Sequence, residues 1–214
     1  MESIRIHHVL PYFLPDAEAS VSEIWRRDAC FRKGERHLVS ATSGAGKSSL
    51  LGYLFGERSD YTGDIRYDDR EIGSLTATEW SSIRQCRISF VFQGLRLFTD
   101  LTAFENIDLK NRLSHHKTGE EILYLLNLTG LADKRDEKVA RLSFGQQQRI
   151  AIIRALCQPF DFLLMDEPFS HLDDANVEII SRLVEQELSS KQAGLILCSL
   201  GAEYPFTYHH KWKL

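Results

Sequence analysis

The residues best suited to chemistry lie at 41–49: Ala41-Thr42-Ser43-Gly44-Ala45-Gly46-Lys47-Ser48-Ser49. An apolar stretch at 37–41 runs into them and a helical pattern at 50–55 runs out. Strand, glycine-rich loop and helix, in that order, make a phosphate-binding loop. Gly44 and Gly46 let the backbone curl until several N–H groups point at one anion, and the helix adds its positive N-terminal end. Lys47 is placed for the β- and γ-phosphates of a nucleotide and Ser48 for Mg²⁺. One position departs from the usual G-x-x-x-x-G-K-[ST], because Ala41 stands where the first glycine belongs.

A second signal is the apolar run 160–165, which ends in Asp166-Glu167. Two adjacent acids at the end of a buried strand call for a cation. Asp166 is placed to hold Mg²⁺, and Glu167, beyond it, to polarise an attacking water as a general base. A third is Leu142-Ser143-Phe144-Gly145-Gln146-Gln147-Gln148-Arg149, a helix start in which Ser143 caps and Gln146 closes a capping box.

The elements that must position these residues follow from periodicity. Strands are expected over 4–10 and 21–31, the second with Val21, Glu23 and Trp25 on one face. An edge strand is expected over 62–67 and buried strands over 88–92, 160–165 and 195–198. Thr78 is expected to cap a short helix over 79–85. Longer helices are expected over 120–128, 143–157 and 173–189, so that 94–157 reads as a helical stretch between strand-rich halves. The charge run 133–138 reads as a solvated loop.

Length and composition narrow the class. At 214 residues and about 150 residues per domain, the chain reads as one domain. Apolar content of 43% with 26% charged residues is that of a soluble globular protein. A net charge of −4 argues against a nucleic-acid binder driven by phosphate contacts. No run reaches the roughly 18 apolar residues of a membrane span, and residues 1–5 lack the apolar region of a signal peptide. Cys30, Cys86, Cys157 and Cys198 are widely spaced and read as reduced core thiols of a cytosolic protein.

Phosphate loop, Ser-x-Gly-Gln element and Asp-Glu strand in this order resemble the ATP-binding cassette (ABC) family, the nucleotide-binding domains of ABC transporters. The resemblance spans nearly the whole chain. Ser43 to Ser49 looks like the Walker A loop and Gln93 like the Q-loop glutamine. Residues 142–146 look like the signature motif, 163–167 like Walker B and Ser170-His171-Leu172-Asp173 like the D-loop. Stretches 72–93 and 101–106 are similar to the subgroup serving lipoprotein release, macrolide export and cell division.

The resemblance implies an α/β P-loop NTPase fold, with a RecA-like, mostly parallel sheet core, an antiparallel β layer and an inserted helical subdomain. The expected division of the single cassette, 1–214, is a nucleotide-binding core at 1–93 and 158–214 and a helical subdomain at 94–157. It implies an ATPase using ATP and Mg²⁺, with Ser43, Gly44, Ala45, Gly46, Lys47, Ser48 and Ser49 on the nucleotide. Ser48, Gln93 and Asp166 would hold the metal, and Glu167 and Gln93 would act in catalysis. Two cassettes, identical or paralogous, would pair head to tail, so that Ser143, Gly145 and Gln146 of one meet the ATP of the other. An upstream aromatic, Tyr12 or Phe13, would stack on adenine, and we assign Tyr12. The partner would be an integral membrane subunit, placing the chain on the inner face of the cell membrane. The apolar stretch 94–102 is expected to form part of the groove that receives it.

Besides Ala41, two further positions depart from the family. Phe144 replaces the first glycine of Leu-Ser-Gly-Gly-Gln, and Leu200 stands where a switch histidine follows the strand 195–198; His209 and His210 lie further along. These leave an alternative, a nucleotide-responsive ABC module with weak or no hydrolysis.

Overall fold

The computed structural model describes residues 1–15 and 19–214. In chain order its strands are β1 (Ser3–Pro11), β2 (Asp28–Arg32), β3 (Arg36–Ser40), β4 (Tyr61–Tyr67), β5 (Arg70–Glu71), β6 (Ile88–Val91), β7 (Phe162–Asp166), β8 (Gly194–Ser199) and β9 (His210–Lys213). They form two sheets. One is antiparallel, ordered β2-β1-β4-β5; the other runs β6-β7-β8-β3-β9 with all its pairings parallel.

Parallel strands need long crossovers, and helices supply them. These are α1 (Lys47–Leu54), α2 (Ala77–Cys86), α3 (Ala103–Asn111), α4 (Gly119–Leu128), α5 (Phe144–Leu156) and α6 (Asp174–Lys191). The central strands are buried on both faces, which is why they read as unbroken apolar runs. Neighbours along each strand alternate between two cores. Leu38, Leu163, Met165, Leu195 and Leu197 pack with α3–α6; Val39, Phe162, Leu164, Ile196 and Cys198 pack toward α1 and the antiparallel sheet.

Helix starts are strongly specified. Capping boxes open α2 (Thr76 with Glu79), α3 (Thr102 with Glu105), α4 (Thr118 with Glu121) and α5 (Ser143 with Gln146). Asp173 caps α6 by accepting from the Asn176 N–H. Each such cap contributes about 1 kcal/mol.

Four expectations need correction. The strand at 21–31 shrinks to Asp28–Arg32, because Ser22 Oγ accepts from the Ile24 and Trp25 N–H groups and turns the chain. Ile24 and Trp25 are thereby buried together while Val21 is 76% exposed. The cap of α2 is Thr76, not Thr78. β4 is not an edge, since β1 pairs on one side and the two-residue β5 on the other. Cys157 and Cys198 are buried thiols, but Cys86 is exposed and Cys30 half-buried.

Candidate nucleotide-binding site

β3 delivers the glycine-rich loop to the C-terminal end of the parallel sheet, where β7 delivers Asp166 and Glu167. A cleft of about 430 Å³ opens between them. It is lined by Ser43, Gly44 and Gly46 to Ser49 of the loop, with Gln93, Asp166 and Glu167 opposite. Phe13, Arg58 and Leu200 complete the wall.

The loop is built to receive an anion. Gly44 and Gly46 have φ of +88° and +96°, a region that disfavours a side chain. A Cβ at Gly44 would meet nothing, so there the backbone alone sets the requirement. Ala41 is not among the residues of positive φ, so alanine serves as well as glycine there. No side chain caps α1, which leaves its first N–H groups for a ligand.

Lys47 is 8% exposed. Its Nζ donates to the carbonyls of Ala41 (3.3 Å) and Thr42 (3.2 Å) and lies 3.6 Å from Glu167 Oε1. Burial raises the Asp166 carboxyl above its usual range, against a Ser48 hydrogen bond and the Lys47 charge. Burial raises Glu167 as well, opposed by the Lys47 charge and by the Leu200 N–H. Asp166 Oδ1 and Glu167 Oε1 are both buried without a hydrogen-bond partner. The Asp166 oxygen, with the Ser48 hydroxyl and the Gln93 amide oxygen on the same cleft, makes an all-oxygen donor set that fits Mg²⁺, and the Glu167 oxygen stays outside that set, facing Lys47.

Glu167 has φ +49°, and its carbonyl accepts from Gln148 Nε2 and Ser170 Oγ, both at 3.2 Å. Gln148 is buried in α5 and also accepts from the His171 N–H, so one amide ties α5, the acid pair and the 170–173 turn. Trp25 lies beneath the loop and donates through Nε1 to the Ala45 carbonyl at 3.1 Å. Neither residue was singled out from the sequence. For Gln148 the only signal was its place in the element beginning at Leu142, and Trp25 was assigned to a strand.

Ala45 is absent from the cleft lining, and two further groups of expected residues lie outside it. Tyr12 is 70% exposed and is not in the lining; its neighbour Phe13 is, with its ring 3.6 Å from where a Gly46 Cβ would stand. Ser143, Gly145 and Gln146 sit at the N-terminus of α5, away from this chain's own loop. There the Phe144 ring packs on His171 at 4.3 Å, and a Gly145 Cβ would come within 2.9 Å of the His171 carbonyl. His209 and His210 do not line the cleft either: His209 Nδ1 accepts from the Arg36 N–H and His210 stacks on His37.

Residues 26–170 match the family model described as ABC transporter. The chain belongs to the ABC transporter family. Relatives include the "Lipoprotein-releasing system ATP-binding protein LolD" of Zymomonas mobilis subsp. mobilis, 36% identical over 156 residues, covering 72% of this chain and 67% of that one. The LolD protein of Buchnera aphidicola subsp. Schizaphis graminum is 32% identical over 171 residues, 78% of this chain and 75% of its own. The dimeric structure of MJ0796, a bacterial ABC transporter cassette, superposes with TM-score 0.78 at 28% identity over 92% of this chain and 88% of that one. A post-hydrolysis state of that cassette, bound to ADP and Pi, gives TM-score 0.78 at 27% identity over 92% and 87%. As an ABC protein the chain is the ATP-binding, ATP-hydrolysing subunit of a transporter. The non-hydrolysing alternative is not favoured. No helix among the described residues is long and apolar enough to cross a membrane.

Proposed function

We propose that the cleft binds MgATP and hydrolyses it between two head-to-tail cassettes, at the cytoplasmic face of a membrane to which a transporter subunit holds them. The observation that carries this reading is the convergence of an uncapped α1, a buried Lys47 and two orphaned carboxylate oxygens on one cleft. In it Ser43 to Ser49 hold the phosphates and Phe13 takes the stacking role first given to Tyr12. Ser48, Gln93 and Asp166 hold the metal, which when bound neutralises phosphate charge. Lys47 exchanges its loop carbonyls for the β- and γ-phosphates. Glu167, which burial raises above the usual carboxylate range, takes a proton from the attacking water.

Ser143, Gly145 and Gln146 serve the partner cassette's ATP. Gln146 N–H is already taken by Ser143 Oγ, so Gln146 acts by holding the cap. The Ser143 hydroxyl proton and the Gly145 N–H remain to donate. We further infer one cassette divided into a nucleotide core at 1–93 and 158–214 and a helical part at 94–157. The membrane subunit seats in the apolar groove beside Gln93. The LolD relatives support a transporter of the lipoprotein-releasing kind. Titration calorimetry tests the site: Lys47→Ala should abolish tight MgATP binding, and equal affinity would remove the phosphate-loop assignment.

A further inference from the structure

We propose that the membrane-subunit segment seated in the groove beside Gln93 carries a carboxylate that pairs with Lys110 and Arg154. This rests on the docking proposed above and adds the chemistry of its occupant. The groove, about 380 Å³, lies between β6, α3 and α5. Phe55, Phe90 and Phe92 form an aromatic floor, with centroids 4.0 to 5.6 Å apart. Phe98, Leu109 and Leu113 stand exposed around it.

Three cations line this apolar hollow, and their partners differ. Arg96 pairs with Glu57 and lies over the Phe92 ring. Lys110 and Arg154 have no carboxylate partner among the described residues. Lys110 Nζ has only the Arg84 carbonyl, at 3.3 Å, and the Arg154 guanidinium has the carbonyls of Leu95 and Arg96, at 2.6 and 2.7 Å. Burial lowers both groups, Arg154 to about 10, and the Arg154 charge lowers Lys110 further. Two like charges are thus held close together in a poorly solvated wall, where an arriving anion gains from both and has no resident acid to displace.

An inorganic anion would satisfy the cations and leave the phenylalanine floor wet. An amphipathic helix with an apolar face and one acid satisfies both halves of the lining. A small cavity shares Phe90, Phe92 and Arg96 with the groove and Ser48, Gln93 and Asp166 with the ATP cleft, so the groove adjoins the nucleotide site.

The test measures binding of purified chain to washed native membranes stripped of endogenous chain, with vesicles of the extracted lipids in parallel. Lys110→Gln should weaken membrane binding about 10-fold, as loss of one charged hydrogen bond requires, and Lys110→Glu more. Leu109→Glu, on the apolar rim, should abolish it, and Lys134→Glu, in the short 3₁₀ turn Ala132–Lys134 outside the groove lining, should bind like wild type. Unchanged MgATP affinity certifies that each variant folds. If Leu109→Glu fails to bind while both Lys110 variants bind normally, docking stands and the carboxylate is overturned. If Leu109→Glu also binds normally, the docking reading falls and this proposal with it. If lipid vesicles alone bind the chain equally and discriminate Lys110→Glu, the anion is a headgroup and the proposal is overturned.

Discussion

Leu200 is 59% exposed at the edge of the cleft, where its side chain offers neither a donor nor an acid. Its backbone compensates in part, since its N–H faces the Glu167 carboxylate. A histidine here would keep that N–H and add a side-chain donor toward the γ-phosphate. A hydrogen bond to a charged group is worth about 1.5–3 kcal/mol, which in the transition state means roughly 10- to 150-fold in rate. Leu200→His is therefore expected to raise steady-state phosphate release by at least about 10-fold, measured with the membrane partner present. A rate no higher than wild type would mean that another group already serves the γ-phosphate. Glu167→Gln removes the base but leaves Asp166, Lys47 and the loop in place. It should hold ATP without turnover and, in light scattering with ATP, show a doubled mass; a monomer at every concentration would show that pairing requires a different chain.

At the scale of elements, the unit β3–loop–α1 stands on Trp25. Trp25→Phe keeps most of the ring burial and deletes the Nε1–H that holds the Ala45 carbonyl. One neutral hydrogen bond contributes about 0.5–1.5 kcal/mol. MgATP affinity should therefore fall about 2- to 12-fold, with little change in maximal rate; unchanged affinity would reduce Trp25 to packing. This residue also marks where legibility ends. The loop at 41–49 and the acid pair were readable because their chemistry is local: glycine spacing, a lysine and serine at a helix start, acids closing an apolar run. The Ser143–Gln146 box was readable because it stands before a clear helical run; the equally spaced Thr76–Glu79 box was missed for Thr78. The 21–31 segment was not, because apolar and polar residues alternate there as in a strand while one hydroxyl, Ser22, turns the chain. The choice between Tyr12 and Phe13 was equally hidden, since neighbours differ only in which side of the backbone meets the cleft. Nothing in the sequence around Lys110 and Arg154 marks them out; only folding brings them into one groove with Phe55, Phe90 and Phe92.

The whole molecule should carry one buried histidine as a pH sensor of its stability. His37 lies in β3 with none of its surface exposed, its Nδ1 accepting from Trp212 Nε1 at 3.2 Å and its ring 5.1 Å from His210. Burial pushes it down to about 3, helped by the charges of His210, His209 and Arg32, against the pull of the Glu35 carboxylate 3.2 Å from Nε2. Its folded pKa is thus below its unfolded value of 6.5. The unfolded chain takes up the proton first as pH falls, so stability is full above about pH 6.5 and declines through the window below it. Between pH 7 and pH 5 this one group should cost about 2 kcal/mol. Other groups act in the same range or below it. Burial also lowers His116, which adds to the decline. Asp166 and Glu167, raised by burial, oppose it by gaining protons in the folded state first. For Asp161 and Glu187, burial works upward but is outweighed by their lysine partners, with the N-terminal amine and Arg87 also on Asp161; both sit below the usual carboxylate range and matter only at lower pH. The difference between wild type and His37→Gln cancels these shared contributions, and glutamine can still accept from Trp212. Urea unfolding at pH 7, 6 and 5 should show the variant less stable at pH 7 and the gap closing by about 2 kcal/mol at pH 5. A gap that stays constant with pH would show that folding leaves the His37 pKa unshifted.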